Sequence, residues 1–436
     1  MKKTSSTIVL AAGIAALTAC TSGVQQGGDS SDVSDGPVTL RLSSFFSDRE
    51  SEVIDQALSM FEEKHPNITV EHTDGQERDV QLQSLRGGQA FDVLMFGTTS
   101  DVPSLCESGS FISIEDNMAR DEITPDLFVD AAMNYTAWEG DHCALPMLSD
   151  VYGLYYNKKL LAEAGLEPPS THAELTEAAK ALTVKAEDGS LERIGLMPLL
   201  DFGQMNAATM TVPFDLTWVN DAGEAQLAQD ENWASMLKWQ KELIEFYGAE
   251  PLQAFRTSLG DEFSAQHPFY TGQLAMMLDG EWRVAFLENE SPDLEYGVVP
   301  MPAAAAEQTG GGYIAGTVLG IPSRSANQAA AWELIKFLST DEAVLEYMAS
   351  ELKNVPTTVG GLDNEELRKN EQFASLMDIA LDEDSRSLPP TLAGDALKDL
   401  FTQSIGDWQW SSESDPTAFL QSINDQIDGQ LQQSQR

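Results

Sequence analysis

From Val38 to Leu42 apolar and polar side chains alternate, the period-two pattern of a strand with one buried face. The period then changes. Val53, Ile54, Ala57, Leu58 and Phe61 fall on one face of a helix that Ser47 and Glu50 open as a capping box and His65-Pro66 stops. Ile68-Thr69-Val70 is a second strand and Val80 to Leu85 a short helix. Phe91 to Phe96 is an almost uninterrupted apolar strand, as in parallel sheets covered on both faces. Further on, Thr171 with Glu174 and Ser339 with Glu342 repeat the capping spacing, and Trp233, Met236, Leu237, Gln240, Leu243, Ile244 and Tyr247 keep the helical period. Strands alternating with helices predict an α/β fold with open sheets, and no longer repeat points to a solenoid or propeller. With 436 residues, 42% of them hydrophobic, the chain has material for two or three cores, since single cores stop growing near about 250–300 residues.

The N-terminus has a different pattern. Lys2 and Lys3 precede the apolar run Ile8 to Leu17, a secretory signal arrangement too short for a membrane helix, which needs about 20 residues. The run ends in Leu17-Thr18-Ala19-Cys20, which resembles the lipobox of bacterial lipoproteins. That resemblance implies a signal peptide over residues 1–19 and a lipid-modified (palmitoylated) Cys20. Residues 20–37, rich in Gly, Ser and Asp, then form a flexible tether, and the chain is anchored to the outer face of the cytoplasmic membrane. No other stretch reaches membrane length, so the anchor is the only expected membrane contact.

Charge narrows the partners. Against 25 Lys and Arg stand 70 Asp and Glu, a net charge of −45, so no basic face for phosphates is expected and nucleic acid is a poor partner. The phosphate loop GxxxxGK[ST], the nucleophile elbow GxSxG and the zinc motif HExxH are absent, and the five histidines form no i, i+4 pair. No metal or cofactor is expected. Cys106 and Cys143 are too few for a structural zinc site and, in an exported chain, are expected to pair with each other. Some of the many carboxylates could be imagined as a glycosidase pair, but spacing in sequence does not report the separation of about 5–9 Å that this chemistry needs.

The segment Ala144-Leu145-Pro146-Met147-Leu148-Ser149-Asp150-Val151-Tyr152-Gly153-Leu154-Tyr155-Tyr156-Asn157-Lys158-Lys159-Leu160-Leu161 is more specific. With Phe269 to Met277, Gly280-Glu281-Trp282, Gly311-Gly312-Tyr313, Gly320-Ile321-Pro322 and Asn327 to Leu338, it resembles the extracellular solute-binding proteins of carbohydrate ATP-binding-cassette importers, the group that includes maltodextrin-binding protein. The likeness runs from Val38 nearly to the C-terminus. It implies a two-lobed periplasmic-binding-protein-like fold whose chain crosses a hinge near Ser149, Val298 and Ser325. On those crossings, residues 38–148 and 298–325 make the first lobe and residues 149–297 and 326–436 the second. It also implies a saccharide ligand, permease subunits as partners, a monomer and no enzymatic activity. A binder of another small solute and a secreted glycoside hydrolase are the alternatives. Tyr155-Tyr156 invites comparison with metal carriers of similar architecture, but neighbours on a strand point to opposite faces.

Sugar recognition requires flat apolar surface for ring C–H faces and planar acceptors for hydroxyl pairs. Phe46 with Asp48 at a helix start, and Phe96 at a strand end, fit that need. Asp150 lies at the position of a family carboxylate. Asp201 with Phe202 loosely matches a carboxylate-aromatic pair, and Trp282 occupies the family's stacking position. Tyr313 follows two glycines that let backbone approach a ligand. Where maltodextrin binders carry an aromatic on a late helix, this chain has Ala393-Gly394-Asp395. Asp395 in that place points to a short, hydrogen-bonded saccharide rather than a long glucan. The competing role for each of these residues is core packing, a helix cap or a hinge salt bridge.

Overall fold

The computed structural model describes residues 36–434 apart from 88–90, 263 and 304–310. The signal segment, Cys20 and the tether as far as residue 35 lie outside the described residues. The main sheet comprises β1 (Val38–Ser44), β2 (Ile68–Thr73), β3 (Val93–Phe96), β4 (Ala144–Asn157), β5 (Val184–Lys185), β6 (Leu191–Leu196), β7 (Leu274–Gly280), β8 (Tyr296–Val299), β9 (Ile314–Gly320) and β10 (Val355–Pro356). The helices that bear on the site are α1 (Asp48–Lys64), α2 (Glu231–Tyr247), α3 (Trp282–Glu290), α4 (Gln328–Thr340), α5 (Glu342–Leu352), α6 (Glu371–Leu381) and α7 (Ala396–Trp410).

The strands run β2-β1-β3-β9-β4-β7-β6-β5, with β8 and β10 also paired to β4. Parallel pairs on each side (β1 with β2 and β3, β6 with β7) flank an antiparallel centre. The central strand β4 has 14 residues and serves both lobes. Its first half pairs with β9, down to Val151 opposite Ile314, and with β10. Its second half pairs with β7, starting at Tyr152 opposite Gly280, and with β8. The strand changes partners between Val151 and Tyr152. Tyr155 fixes the second half by donating its hydroxyl to the Gly280 carbonyl at 2.7 Å.

Two cores follow from this arrangement. One buries Leu40, Leu42, Ile54, Phe61, Met95 and Met147 against one face of the first-lobe strands. The other gathers Leu154, Ile194, Trp233, Leu237, Met276, Phe373 and Phe401 in the second lobe, and continues through Phe96 and Phe111 beneath the first-lobe sheet.

The structure corrects two expectations. Residues from 326 onward do not all go to the second lobe: Trp332, Leu334 and Ile335 of α4 and Val344 and Met348 of α5 share the core of Leu40, Ile54 and Phe61. The chain stays with the first lobe through β10, which pairs with the first half of β4, and Thr358, which bridges to Phe128; it does not leave near Ser325, whose hydroxyl donates to Asp92 at 2.5 Å. An apolar helix reveals that it is buried, not which lobe buries it. Capping is the second correction. Thr171 accepts from the Glu174 N–H at 3.2 Å, whereas Ser47 caps nothing with its side chain and Ser339 is buried within α4. Asp341 caps α5 instead, accepting from the Val344 N–H at 3.3 Å.

Cys106 and Cys143 form a disulfide with a Cα–Cα distance of 5.7 Å and 37 residues of sequence separation. It staples the helix after β3 to the lead-in of β4. Closing a loop of that size removes unfolded-state entropy worth about 3–4 kcal/mol. The double variant Cys106→Ser/Cys143→Ser is expected to lose about that much stability in a denaturant titration; an unchanged midpoint and slope would contradict it.

Candidate functional site

Strand ends and helix starts converge where the two halves of β4 meet. The loop after β1 brings Phe45 and Phe46, whose rings stack at 4.2 Å, and leads into Asp48, Arg49 and Glu50 at the start of α1. Gly97 follows β3, and a Cβ there would lie 3.0 Å from the Phe45 ring, so a larger residue would push that ring by a few tenths of an ångström. Opposite them stands α3, whose Trp282, Ala285, Phe286 and Asn289 fall at i, i+3, i+4 and i+7 on one helical face. These groups, with Asp150, Glu290, Thr317 and Asn354, enclose a cavity of about 980 Å³ lined from both lobes.

Trp282 is held by a device in its own sequence. A Cβ on Gly280 would sit 2.2 Å from Cζ3 of the Trp282 ring. The glycine therefore makes room for the tryptophan itself rather than for an approaching ligand. The ring also meets Tyr152 edge-on at 5.4 Å and 88°, and Tyr152 packs on Tyr313 at 5.2 Å. Among the described residues the indole N–H has no hydrogen-bond partner.

On the cavity's other wall, Asp48 begins α1 with a φ of 50°, a left-handed conformation that costs a non-glycine residue about 1–2 kcal/mol. Such strain persists where the surroundings impose it, and here it sets an exposed carboxylate at the mouth of the cavity. Arg49 donates from Nη1 to the Glu351 carbonyl at 3.0 Å. Burial pushes the Glu50 carboxyl above its usual range, with Arg49 opposing the shift. Asp150 keeps some exposure to the cavity, yet the atoms packed around it raise its pKa to about 7; Glu50 adds to the shift, and hydrogen bonds from Asn354 and Glu281 oppose it.

Of the nine residues singled out in the sequence, the cavity gathers Phe46, Asp48, Asp150 and Trp282. The others lie elsewhere. Phe96 is 1% exposed and packs on Phe111 at 5.9 Å, so the ring at that strand end is core and only the following glycine reaches the cavity. Asp201 pairs with Arg256 at 3.0 Å, and with Phe202 it lines a separate second-lobe cavity of about 320 Å³. Tyr313 is buried behind Tyr152. Asp395 accepts from the Ser100 hydroxyl at 2.5 Å and pairs with Lys398 at 3.4 Å, so it joins α7 to the first lobe instead of facing the cavity. Phe286 and Asn289 were missed, although the helical period counted from Trp282 marks both. Nothing in the sequence marks Asn354. Among the described residues no cluster of His, Cys, Asp and Glu is arranged to hold a metal ion.

Two lobes thus share one strand beside a cavity of aromatic and carboxylate groups. The family of bacterial extracellular solute-binding proteins matches residues 56–375, and the chain belongs to it. The maltotriose-binding protein of Pyrococcus abyssi is 24% identical over 254 residues, 57% of this chain and 52% of the relative, so the chain spans about half the length of that relative. The multiple sugar-binding protein of Streptococcus mutans is 21% identical over 73% of this chain and 74% of its own. Among solved structures, CpMnBP1 with mannotriose bound superposes with a TM-score of 0.78 at 23% identity, over 89% of this chain and 100% of that one. The sugar-binding protein MalE of Xanthomonas citri gives a TM-score of 0.77 at 20% identity, over 91% and 98%. These likenesses establish the two-lobed fold.

The place of Gly280 is open to test. In Gly280→Ala the new methyl must displace the indole, and overpacking of this kind costs about 1–3 kcal/mol. Denaturant titration should show that loss; a variant as stable as the parent would mean the ring moves without cost.

Proposed function

We propose that the protein captures a short saccharide in the interlobe cavity and delivers it to the permease subunits of an ABC importer. The observation that carries this reading is the pairing of Trp282 and Phe286 on one wall with Phe45, Phe46 and Asp48 on the other, and Asp150 and Asn354 at the base. Indole and phenyl faces suit the apolar C–H faces of a sugar ring. Carboxylates and the amide accept from, or donate to, its hydroxyls in pairs. A volume of about 980 Å³ lies at the upper end of the usual ligand range and accommodates more than one sugar ring. Relatives named for maltotriose and for multiple sugars, and a neighbour holding mannotriose, support the saccharide class.

In this reading Cys20 is lipid-modified after removal of residues 1–19, and the protein works as a monomer at the outer face of the membrane, docking to the permease. Asp395 is committed to Ser100 outside the cavity, so the short-ligand reading rests on the cavity volume and not on that side chain. The placement of Asp201, Phe202 and Tyr313 outside the cavity moves the stacking role to α3 and to the loop after β1.

Thermal unfolding in the presence of mannotriose, maltotriose and related oligosaccharides tests the class. A ligand at about 100 times its dissociation constant adds about 2.7 kcal/mol of stability. For the best ligand, Trp282→Ala should weaken affinity about ten- to a hundredfold by calorimetry while the fold survives, since the ring is partly exposed to the cavity. Unchanged affinity in a folded variant would remove Trp282 from the site. No stabilisation by any saccharide would overturn the class.

A further inference from the structure

Beneath the cavity, three chain segments meet at two acidic side chains. Asp150 lies on β4 one residue before the change of partners, Glu281 follows β7 at the head of α3, and Asn354 lies on the return from α5 to β10. Glu281 is fully buried. Its Oε2 accepts from the Val151 N–H at 2.6 Å, and its Oε1 accepts from Asn354 Nδ2. The same Asn354 Nδ2 donates to Asp150 Oδ1 at 3.1 Å, so one amide nitrogen bridges the two carboxyl groups.

No Lys or Arg pairs with either group among the described residues. Arg283, two positions beyond Glu281, is bonded to Asp279 at 2.6 Å and to the Tyr270 hydroxyl at 2.9 Å. Glu50 from α1 and the hydroxyls of Tyr135, Tyr152 and Tyr313 bear on the pair without supplying a positive charge, while Arg49, which lines the same cavity, acts on Glu50 and donates to the Glu351 carbonyl. Two carboxyl groups held on one amide nitrogen, one of them fully buried and neither paired with a cation, resist ionising together near neutrality, whereas one proton between them makes a charge-assisted hydrogen bond.

We propose that Glu281 is a positioning residue for ligand capture: it shares a single proton with Asp150, and closing the cavity over a saccharide draws that proton from solvent. This rests on the saccharide reading above. The cause is desolvation. A sugar laid over Asp150 displaces the water that stabilises its ionised form, so the closed state holds the proton more tightly than the open one. Glu281 has no place in the cavity wall and acts through the orientation and charge of Asp150. The direction of the pH effect follows by linkage. Above the range where the pair is already protonated, binding takes up a proton, so affinity falls as pH rises, by at most tenfold per pH unit for one proton. The pair's own contribution to stability follows the same sign, fully present below the ordinary carboxylate range and lost as pH climbs through about 7.

Two measurements on the intact protein separate the proton from the sugar. Infrared spectroscopy at pH 7 without ligand should show the carbonyl band of a protonated carboxylic acid, lost in Glu281→Gln, where the amide donates to an ionised Asp150. Calorimetry with maltotriose and mannotriose, from about pH 6 to pH 9 in buffers of different ionisation heat, should show proton uptake and falling affinity in the parent and a flat profile in Glu281→Gln. Absence of the band in the parent overturns the shared proton whether or not any variant folds. Coincident pH profiles for parent and Glu281→Gln overturn the coupling. A band without saccharide binding at any pH refutes capture of these sugars and its coupling to the proton, and leaves the shared proton standing. If Glu281→Gln fails to fold, Asp150→Asn must flatten the pH profile of binding, and a profile coincident with the parent's contradicts the assignment.

Discussion

The structure depends on one strand belonging to two lobes. At about 3.3 Å per residue, the 14 residues of β4 extend about 45 Å, and every backbone group along that length needs a partner. Those partners are supplied in two sets, β9 and β10 on one half and β7 and β8 on the other. A change of angle between the lobes must be absorbed where the sets meet, at Val151 and Tyr152, because the hydrogen bonds on either side are already committed. The cavity opens at this point, and Asp150, its neighbour along the strand, forms part of the base.

Each wall of the cavity is set by a small number of local constraints. Gly280 leaves the space in which Trp282 folds back, and Gly97 does the same for Phe45. The left-handed backbone of Asp48 turns the chain into α1 with the carboxylate at the cavity mouth. At the base a carboxyl pair, the half-buried Asp150 and the buried Glu281, is bridged by Asn354 and joins residues from three chain segments. Removing one member of such a group leaves its partners unsatisfied in a desolvated place, at a cost well above that of a surface hydrogen bond. Both the lobe angle and the electrostatics of the site therefore depend on a few atoms around the middle of β4.

Much of this was legible in the sequence. The alternation at Val38 to Leu42 and the helical spacing of Val53 to Phe61 gave β1 and α1, and the motif around Asp150 and the Gly-x-Trp at Trp282 gave two of the groups that line the cavity. The errors have physical causes. Phe96 ends an apolar strand whether its ring turns to ligand or to core, and periodicity cannot tell which. The helices α4 and α5 are apolar on enough of their surface to be buried in either lobe, so their place in the first was hidden. Asp201 and Asp395 found partners far away in sequence, Arg256 and Ser100, which claim their side chains. Asn354 and Glu281 carry no periodic or motif signal, since their importance comes from long-range contacts.

The central claim is that the lobes close about the midpoint of β4 over a ligand held between them. Small-angle X-ray scattering on the protein, free and saturated with the saccharide that most raises its melting temperature, tests this most directly. The account predicts a smaller radius of gyration in the complex, because closure brings α3 toward the loop after β1. An unchanged radius at full saturation, confirmed by calorimetry on the same sample, would contradict it.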